Sequence, residues 1–320
     1  MMAFRRIALA MLVSSFWVAV SADDIAVLQA VGEEAKGAAK AREAATRLKE
    51  GGRANLVPLL AAFKGSSPLA TNWLRSTFES IADAEQKAGR DLPKDRLLVF
   101  VRDVQQAPAA RRLAYEWLLQ RSPQLEDELI PSMLLDPSPA FRRDAVKKLV
   151  AAAKAAGDDG VELWKKALQG AVHEDQVSTI AEALRKLEQD VDLQAHFGFI
   201  SDWKVVGPFN NKDGKGYQVA YPPESGIDFN AAYDGSEGQA TWQDISTADD
   251  FGVVDIAKEI ENYKGSLMYV TSTWTAKDSQ SLEIRLGTPN AWKLWVNDKL
   301  VFEREEYPVS YTHLTLPTKA

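Results

Sequence analysis

The sharpest alternation of apolar and polar positions in the chain runs from Ser281 to Phe302, SLEIRLGTPNAWKLWVNDKLVF. Leu282, Ile284 and Leu286 alternate with Glu283 and Arg285, so one face is apolar and the other wet, the period of a half-buried strand. Gly287-Thr288-Pro289-Asn290 then turns the chain, and Ala291 to Val296 reads as a second strand. Asn297-Asp298 reads as a two-residue hairpin loop, because both residue types tolerate the positive φ of a type I′ turn. Lys299 to Phe302 returns as a third strand. A two-residue loop sets Val296 against Lys299, Trp295 against Leu300 and Leu294 against Val301. One face then carries Trp292, Leu294, Val296 and Val301, and the other Lys293, Trp295, Leu300 and Phe302. Large apolar groups on both faces suit a strand pair in a β-sandwich whose second side is covered or meets a ligand.

From Asp23 to Phe199 the pattern is helical throughout. Asp24 to Lys49 is rich in Ala, Glu, Lys and Arg, with Gly51-Gly52 as a stop. Further helices are predicted near 54–64, 68–88, 93–106, 109–121, 124–135, 139–156, 159–171 and 174–190, with Gly, Pro, Asp or Ser at the breaks. This half repeats itself. Pro108-Ala-Ala-Arg-Arg-Leu-Ala114 matches Pro139-Ala-Phe-Arg-Arg-Asp-Ala145 at a distance of 31 residues, and Leu118 then falls opposite Leu149. A fainter copy starts at Pro68 and another near Asp175, with Ala181 and Leu184. The spacing suits helix-pair repeats with loops of unequal length. The run from Asp136 to Ala145, DPSPAFRRDA, resembles the HEAT repeat over about 108–155. That resemblance implies a stacked α-solenoid that binds partners or spaces domains. The plainer alternative is an irregular helical domain.

Composition changes after Phe199. Residues 201–308 hold five tryptophans (203, 242, 274, 292 and 295), ten Lys+Arg and eighteen Asp+Glu, a charge of −8, against −2 for residues 23–200. The expected boundary lies at 198–202. Trp203 to Phe209 reads as a strand entering a core, ended by Gly207-Pro208, and Tyr221 to Glu224 as extended chain, because each residue before a proline is pushed out of the helical region. Strands are predicted at Trp242 to Ile245, Gly252 to Ile256 and Leu267 to Trp274, ahead of the hairpin. About seven short strands indicate an antiparallel sandwich or jelly roll. WKVVGPF (203–209), YPPE (221–224) and LGTPNAWKLWVNDKLV (286–301) resemble the galactose-binding-like jelly roll, an accessory fold of glycosidases and other secreted bacterial proteins. Most members are expected to carry Asn-Gly where this chain has Asn297-Asp298. The two halves together resemble the front of large exported bacterial proteins in which further domains, sometimes transglutaminase-like, follow.

The ends add to this picture. Arg5 and Arg6, an apolar run from Ile7 to Val20, and small residues at Val20-Ser21-Ala22 read as a signal peptide, too short to span a bilayer. Val309 to Ala320 resembles a translated sequencing adapter, so the natural gene is expected to run on. The chain has 320 residues, 46% hydrophobic and 26% charged, with a net charge of −7 and no cysteine. That removes disulfides, thiolate catalysis and Cys-zinc sites, and leaves no electrostatic reason to hold nucleic acid.

Catalytic motifs do not emerge. His173 sits at a helix start, His196 beside the boundary and His313 in the tail; no HExxH, GxSxG or phosphate-binding glycine loop is present. Asp249-Asp250 and Glu305-Glu306 are adjacent carboxylates and suit a loop or edge. Asn210 to Gly214 carries oxygens but lacks the spacing of a calcium loop, and reads as a turn. Arg111-Arg112 and Arg142-Arg143 suit inter-repeat salt bridges, with a basic ridge for an anionic partner as the alternative. Carbohydrate binding is the sharper chemistry, since sugar C–H faces stack on aromatic rings while amides bond the hydroxyls. The candidate ligand-binding residues are Trp203, Asn210, Asn211, Tyr217, Trp242, Asn290, Trp292 and Trp295; the competing reading puts the tryptophans in the core.

The sequence thus predicts an α+β multidomain protein: a signal peptide at 1–22, a HEAT-like α-solenoid at 23–199, an antiparallel β-sandwich or jelly roll at 200–308 and an artefactual tail at 309–320. The expected role is periplasmic or secreted recognition or scaffolding, non-catalytic, with a glycan or protein partner, no cofactor or metal, no nucleic acid and no membrane span after signal cleavage. The alternative is the front part of a larger exported enzyme, a glycoside hydrolase or transglutaminase-like protein.

Overall fold

A computed structural model describes residues 22–279, 281 and 283–306. The expected tail lies outside the described residues, as does the expected signal peptide but for Ala22. The chain is mixed α+β and divides into two compact units between Val191 and Asp192, ahead of the composition break at 198–202.

The first unit is helical. Its helices are α1 (22–29), α2 (Ala38–Glu50), α3 (Leu56–Ala61), α4 (Pro68–Lys87) and α5 (Lys94–Arg102). α6 (Pro108–Arg121), α7 (Leu125–Leu129), α8 (Pro139–Ala156), α9 (Val161–Gly170) and α10 (Glu174–Lys186) follow. Proline occupies the first position of α4, α6 and α8, where its missing N–H is no loss and its fixed φ is already helical. The Ser67 hydroxyl also accepts from the Ala70 N–H, capping α4. The Asp24–Lys49 stretch is not one helix: α1 ends before Gly32, and Gly37 takes the left-handed conformation ahead of α2. On α4, Ala70, Leu74, Phe78, Ile81 and Ala82 recur at helical spacing and are buried. Packing runs mainly between near neighbours in sequence: α5 on α6, α8 on α9, α9 on α10.

The arginine pairs link successive helices. Arg112 on α6 pairs with Asp144 on α8, and Arg143 on α8 pairs with Asp175 on α10, each 32 residues ahead. The second pair is the first moved 31 residues along the chain. Arg142 donates to the Gly170 carbonyl at 3.0 Å. These arginines are therefore spent between helices and form no open ridge.

The second unit opens with α11 (Leu193–Phe197), tied in by the Gln194 amide, which donates to the Thr247 and Asp249 carbonyls. Its strands are β1 (Asp202–Asn210), β2 (Ala232–Gly235), β3 (Gly238–Thr241), β4 (Gln243–Ser246), β5 (Ser266–Thr271), β6 (Trp292–Val296) and β7 (Lys299–Arg304), with a short helix α12 (Ile256–Glu259). They form three small antiparallel sheets, β4-β1-β5, β2-β3 and β6-β7. The core gathers around Val206, Phe209 and Ala240, with Tyr221, Tyr233, Trp242, Leu267 and Tyr269 packed against it.

Several expectations are corrected. Gly207-Pro208 does not end β1; the strand continues to Asn210 through a bulge between Val206 and Phe209, where a proline is tolerated. Gly207 has a φ of +151°, and an added Cβ would lie 3.0 Å from the Leu267 carbonyl oxygen, so the close strand approach favours glycine there. Tyr221–Glu224 leads into a 3₁₀ turn at Pro222–Ser225, and the expected strand at Gly252 to Ile256 is irregular chain entering α12. Residues 283–286 form no strand, and Leu282 lies outside the described residues. No neighbouring strand takes up their backbone groups among the described residues, and Ile284 and Leu286 stay exposed. In the hairpin, Val296 pairs with Lys299 and Trp295 with Leu300 as expected, but Leu294 pairs with Phe302, because Val301 is an extra residue in β7. Phe302 thereby stacks on Trp292 at 4.7 Å and leaves the face assigned to it with Trp295.

Candidate functional site

The end of β1 and the loop after it build a hollow in the surface of the second unit. β1 delivers Asn210 to the loop, and Asp213 and Gly214 both take positive φ, which folds the loop back tightly. The Asn210 side-chain oxygen accepts from the Lys212 N–H at 3.0 Å, and its carbonyl accepts from the Tyr221 hydroxyl. The Asn211 N–H donates to the Gly265 carbonyl at 2.8 Å. These bonds frame a hollow of about 270 Å³, lined by Asn210, Lys212, Asp213 and Lys215 together with Gly216, Val219 and Tyr221.

Beside the hollow, Tyr217 is buried, and its hydroxyl donates to the Trp292 carbonyl at 3.4 Å. The Lys293 ammonium stands 4.7 Å above the Tyr217 ring. The Gln218 amide donates to Glu305 at 2.7 Å, so the hairpin is attached to the loop at three points. Below, Tyr221 packs on Phe209 at 4.8 Å, and Phe209 meets Tyr269 edge-on at 5.6 Å. Burial, and then the hydrogen bond to Glu224, hold the Tyr269 phenol well above its ordinary range, so it stays neutral.

Four of the eight candidates meet here: Asn210 and Asn211 in the loop, Tyr217 beside it and Trp292 on the hairpin. Trp295 lies behind, 6.3 Å from Tyr269. Trp203 spends its indole N–H on the Ile200 carbonyl at 3.0 Å and pairs across the sheet with Ile245. Trp242 packs on the core and meets Phe229 edge-on at 5.3 Å. Asn290 is exposed in the turn before β6. Of the other groups weighed, Asp249 caps its own loop through the N–H groups of Phe251 and Val253, and His196 packs edge-on against Phe197. Among the described residues no group of three or more His, Cys, Asp or Glu side chains is placed to hold a metal ion.

The loop's lysines were not singled out by sequence reasoning, nor was Tyr221. The signal was there: two lysines interleaved with asparagine and glycine in NNKDGKG, just after a strand entering the core. No family model matches the chain, and no curated protein or solved structure matches it. No helix among the described residues is long and apolar enough to cross a membrane.

Proposed function

We propose that this protein is an exported recognition or scaffold protein, non-catalytic, whose second unit is a galactose-binding-like jelly roll that holds a glycan and whose first unit is a HEAT-like solenoid that docks protein. The observation that carries the glycan reading is the hollow at the end of β1. It sets a tyrosine ring and an aliphatic wall beside an amide, a carboxylate and two ammonium groups. Apolar C–H faces and hydroxyls of a sugar ask for that mixture. The 31-residue translation of the Arg112–Asp144 pair onto Arg143–Asp175 supports the repeat reading, since stacked units reuse one contact at each junction. Export rests on the basic, apolar and small-residue order of residues 1–22. Binding of the intact chain to a glycan array tests the central claim: at least one glycan is retained, and retention of none overturns it.

A second reading has its own support. Val253, Val270, Trp274, Ile284, Leu286, Leu300, Val301 and Phe302 are all exposed, while Val205, Val206, Pro208 and Phe209 of β1 are buried. Exposed apolar positions of this kind, four on strands and four in irregular chain, suit a unit on which further chain packs, as in an accessory part of a larger exported enzyme. The uninterrupted genomic reading frame past Tyr307 decides it: a catalytic domain there favours the enzyme, an early stop codon the stand-alone protein.

A further inference from the structure

We infer that the hollow behind β1 selects an acidic sugar, a uronic acid unit of a glycan, whose carboxylate is held by Lys212 and Lys215; this rests on the glycan-recognition reading above. Residues 201–308 carry a charge of −8, yet the lining of this hollow holds two lysines against one carboxylate. Lys212 and Lys215 line the hollow. Lys264 precedes Gly265, whose carbonyl holds the Asn211 N–H. Lys293 lies over the neighbouring Tyr217 ring. Two of the ten Lys+Arg in that region therefore line one small cavity, and a third lies over the ring next to it.

The opposing charge within the lining is limited. Asp213 is the one carboxylate among the lining residues, and it stands 3.9 Å from Lys215. Glu305, on the hairpin, is held by the Gln218 amide, and Glu224 by the Tyr269 hydroxyl. Lys212 pairs with no carboxylate among the described residues, so the lining keeps a net charge of +1 from its two lysines and one aspartate. A single carboxylate matches that balance. The lining has no arginine fork with which to clasp a doubly charged phosphate. Size points the same way. The volume of about 270 Å³ falls just under the roughly 300–1,000 Å³ of pockets for drug-sized ligands. It suits one sugar ring, with Val219 and Tyr221 offering the apolar contact.

The test titrates the intact chain with polygalacturonate, its methyl ester, neutral galactan and dextran sulfate, followed by calorimetry. Polygalacturonate binds, and esterification, which removes the charge and leaves the rings, weakens binding about tenfold or more. Lys212→Glu with Lys215→Glu produces a comparable loss at an unchanged melting temperature, and the milder Lys212→Gln with Lys215→Gln an intermediate one. Equal affinity for the acid and its ester overturns the inference and leaves glycan recognition standing. No binding to any of the glycans removes both. Dextran sulfate binding as tight as polygalacturonate and indifferent to the lysine changes also overturns it, as plain polyanion adsorption.

Discussion

Arg111 and Asp136, 25 residues apart, meet through two parallel hydrogen bonds of 2.8 and 2.6 Å, with their side chains only 1% and 5% exposed. The pair is fully engaged. Arg111 also donates to the Val101 carbonyl at 2.8 Å and lies 5.0 Å from the Phe141 ring, and Asp136 accepts from the Ser138 N–H at 2.8 Å just before α8. One ion pair thereby ties α5, α6 and the entry to α8 together. The pair has no counterpart 31 residues on, where Ala167 stands in place of Asp136. Removing one partner strands the other charge in a dry site, so Asp136→Ala is expected to lower stability by about 3–5 kcal/mol, read from the denaturant midpoint. Replacing both, Arg111→Met with Asp136→Leu, restores much of it, because no unpaired charge remains. A double variant as unstable as the single one contradicts this account.

Glu85 is one of the carboxyls in the first unit that the fold holds below its ordinary value. Its carboxylate accepts from Arg90 Nε at 2.7 Å and from the terminal guanidinium nitrogen at 2.9 Å while itself only 7% exposed. The hydrogen bonds from Arg90 outweigh burial and hold the carboxyl below its ordinary value. The unfolded chain then takes up the proton at a higher pH than the folded one. The stabilisation is full above the ordinary carboxylate value and is lost as pH falls through the folded value. Thermal melts between about pH 6 and pH 3 should show Glu85→Gln less stable at neutral pH and with a shallower decline on acidification. Parallel declines in both proteins would falsify the assignment.

The helical half was legible because its signals are local. Pro68, Pro108 and Pro139 mark helix starts from their own stereochemistry, and the Arg-Arg repeat foretold pairs that the fold completes at Asp144 and Asp175. The strands were less legible, since a strand exists only where a distant neighbour takes its backbone groups. Ile284 and Leu286 alternate as a strand should and yet lie in irregular chain. The one-residue bulge at Val301 moved Phe302 to the Trp292 side, a change that periodicity does not reveal. The hollow was hidden for a related reason: Tyr221 reaches it only because its hydroxyl returns to the Asn210 carbonyl.

Phe209 offers a way to unfold one unit and spare the other. It is buried among the rings of Tyr221, Tyr233 and Tyr269, with centroids at 4.8, 6.3 and 5.6 Å. Phe209→Ala removes the shared contact and is expected to cost about 3–5 kcal/mol. Hydrogen exchange followed by mass spectrometry should then show peptides from residues 202–271 unprotected while those of α4 to α10 keep their protection. Loss of protection in both halves together would mean that they do not fold as separate cooperative bodies.

Gly216 and Gly214 separate the shape of the hollow from the mere presence of its loop. A Cβ on Gly216 would lie 2.1 Å from the Asn210 carbonyl oxygen and 2.9 Å from the Asn211 α-carbon. Both are backbone atoms, which cannot swing aside as a side chain can. The displaced carbonyl is also the one that anchors Tyr221. Gly216→Ala is therefore expected to destabilise the second unit by about 1–3 kcal/mol and, under the proposed glycan reading, to abolish binding well below its melting temperature. Gly214 has a φ of +75° but nothing within 4 Å of an added Cβ. Gly214→Ala meets only the left-handed strain of about 1–2 kcal/mol, moves no lining residue and keeps the ligand. The pair is read by melting temperature and by calorimetric affinity for the same glycan. Retention of affinity by Gly216→Ala would show that the hollow's contour does not matter to binding.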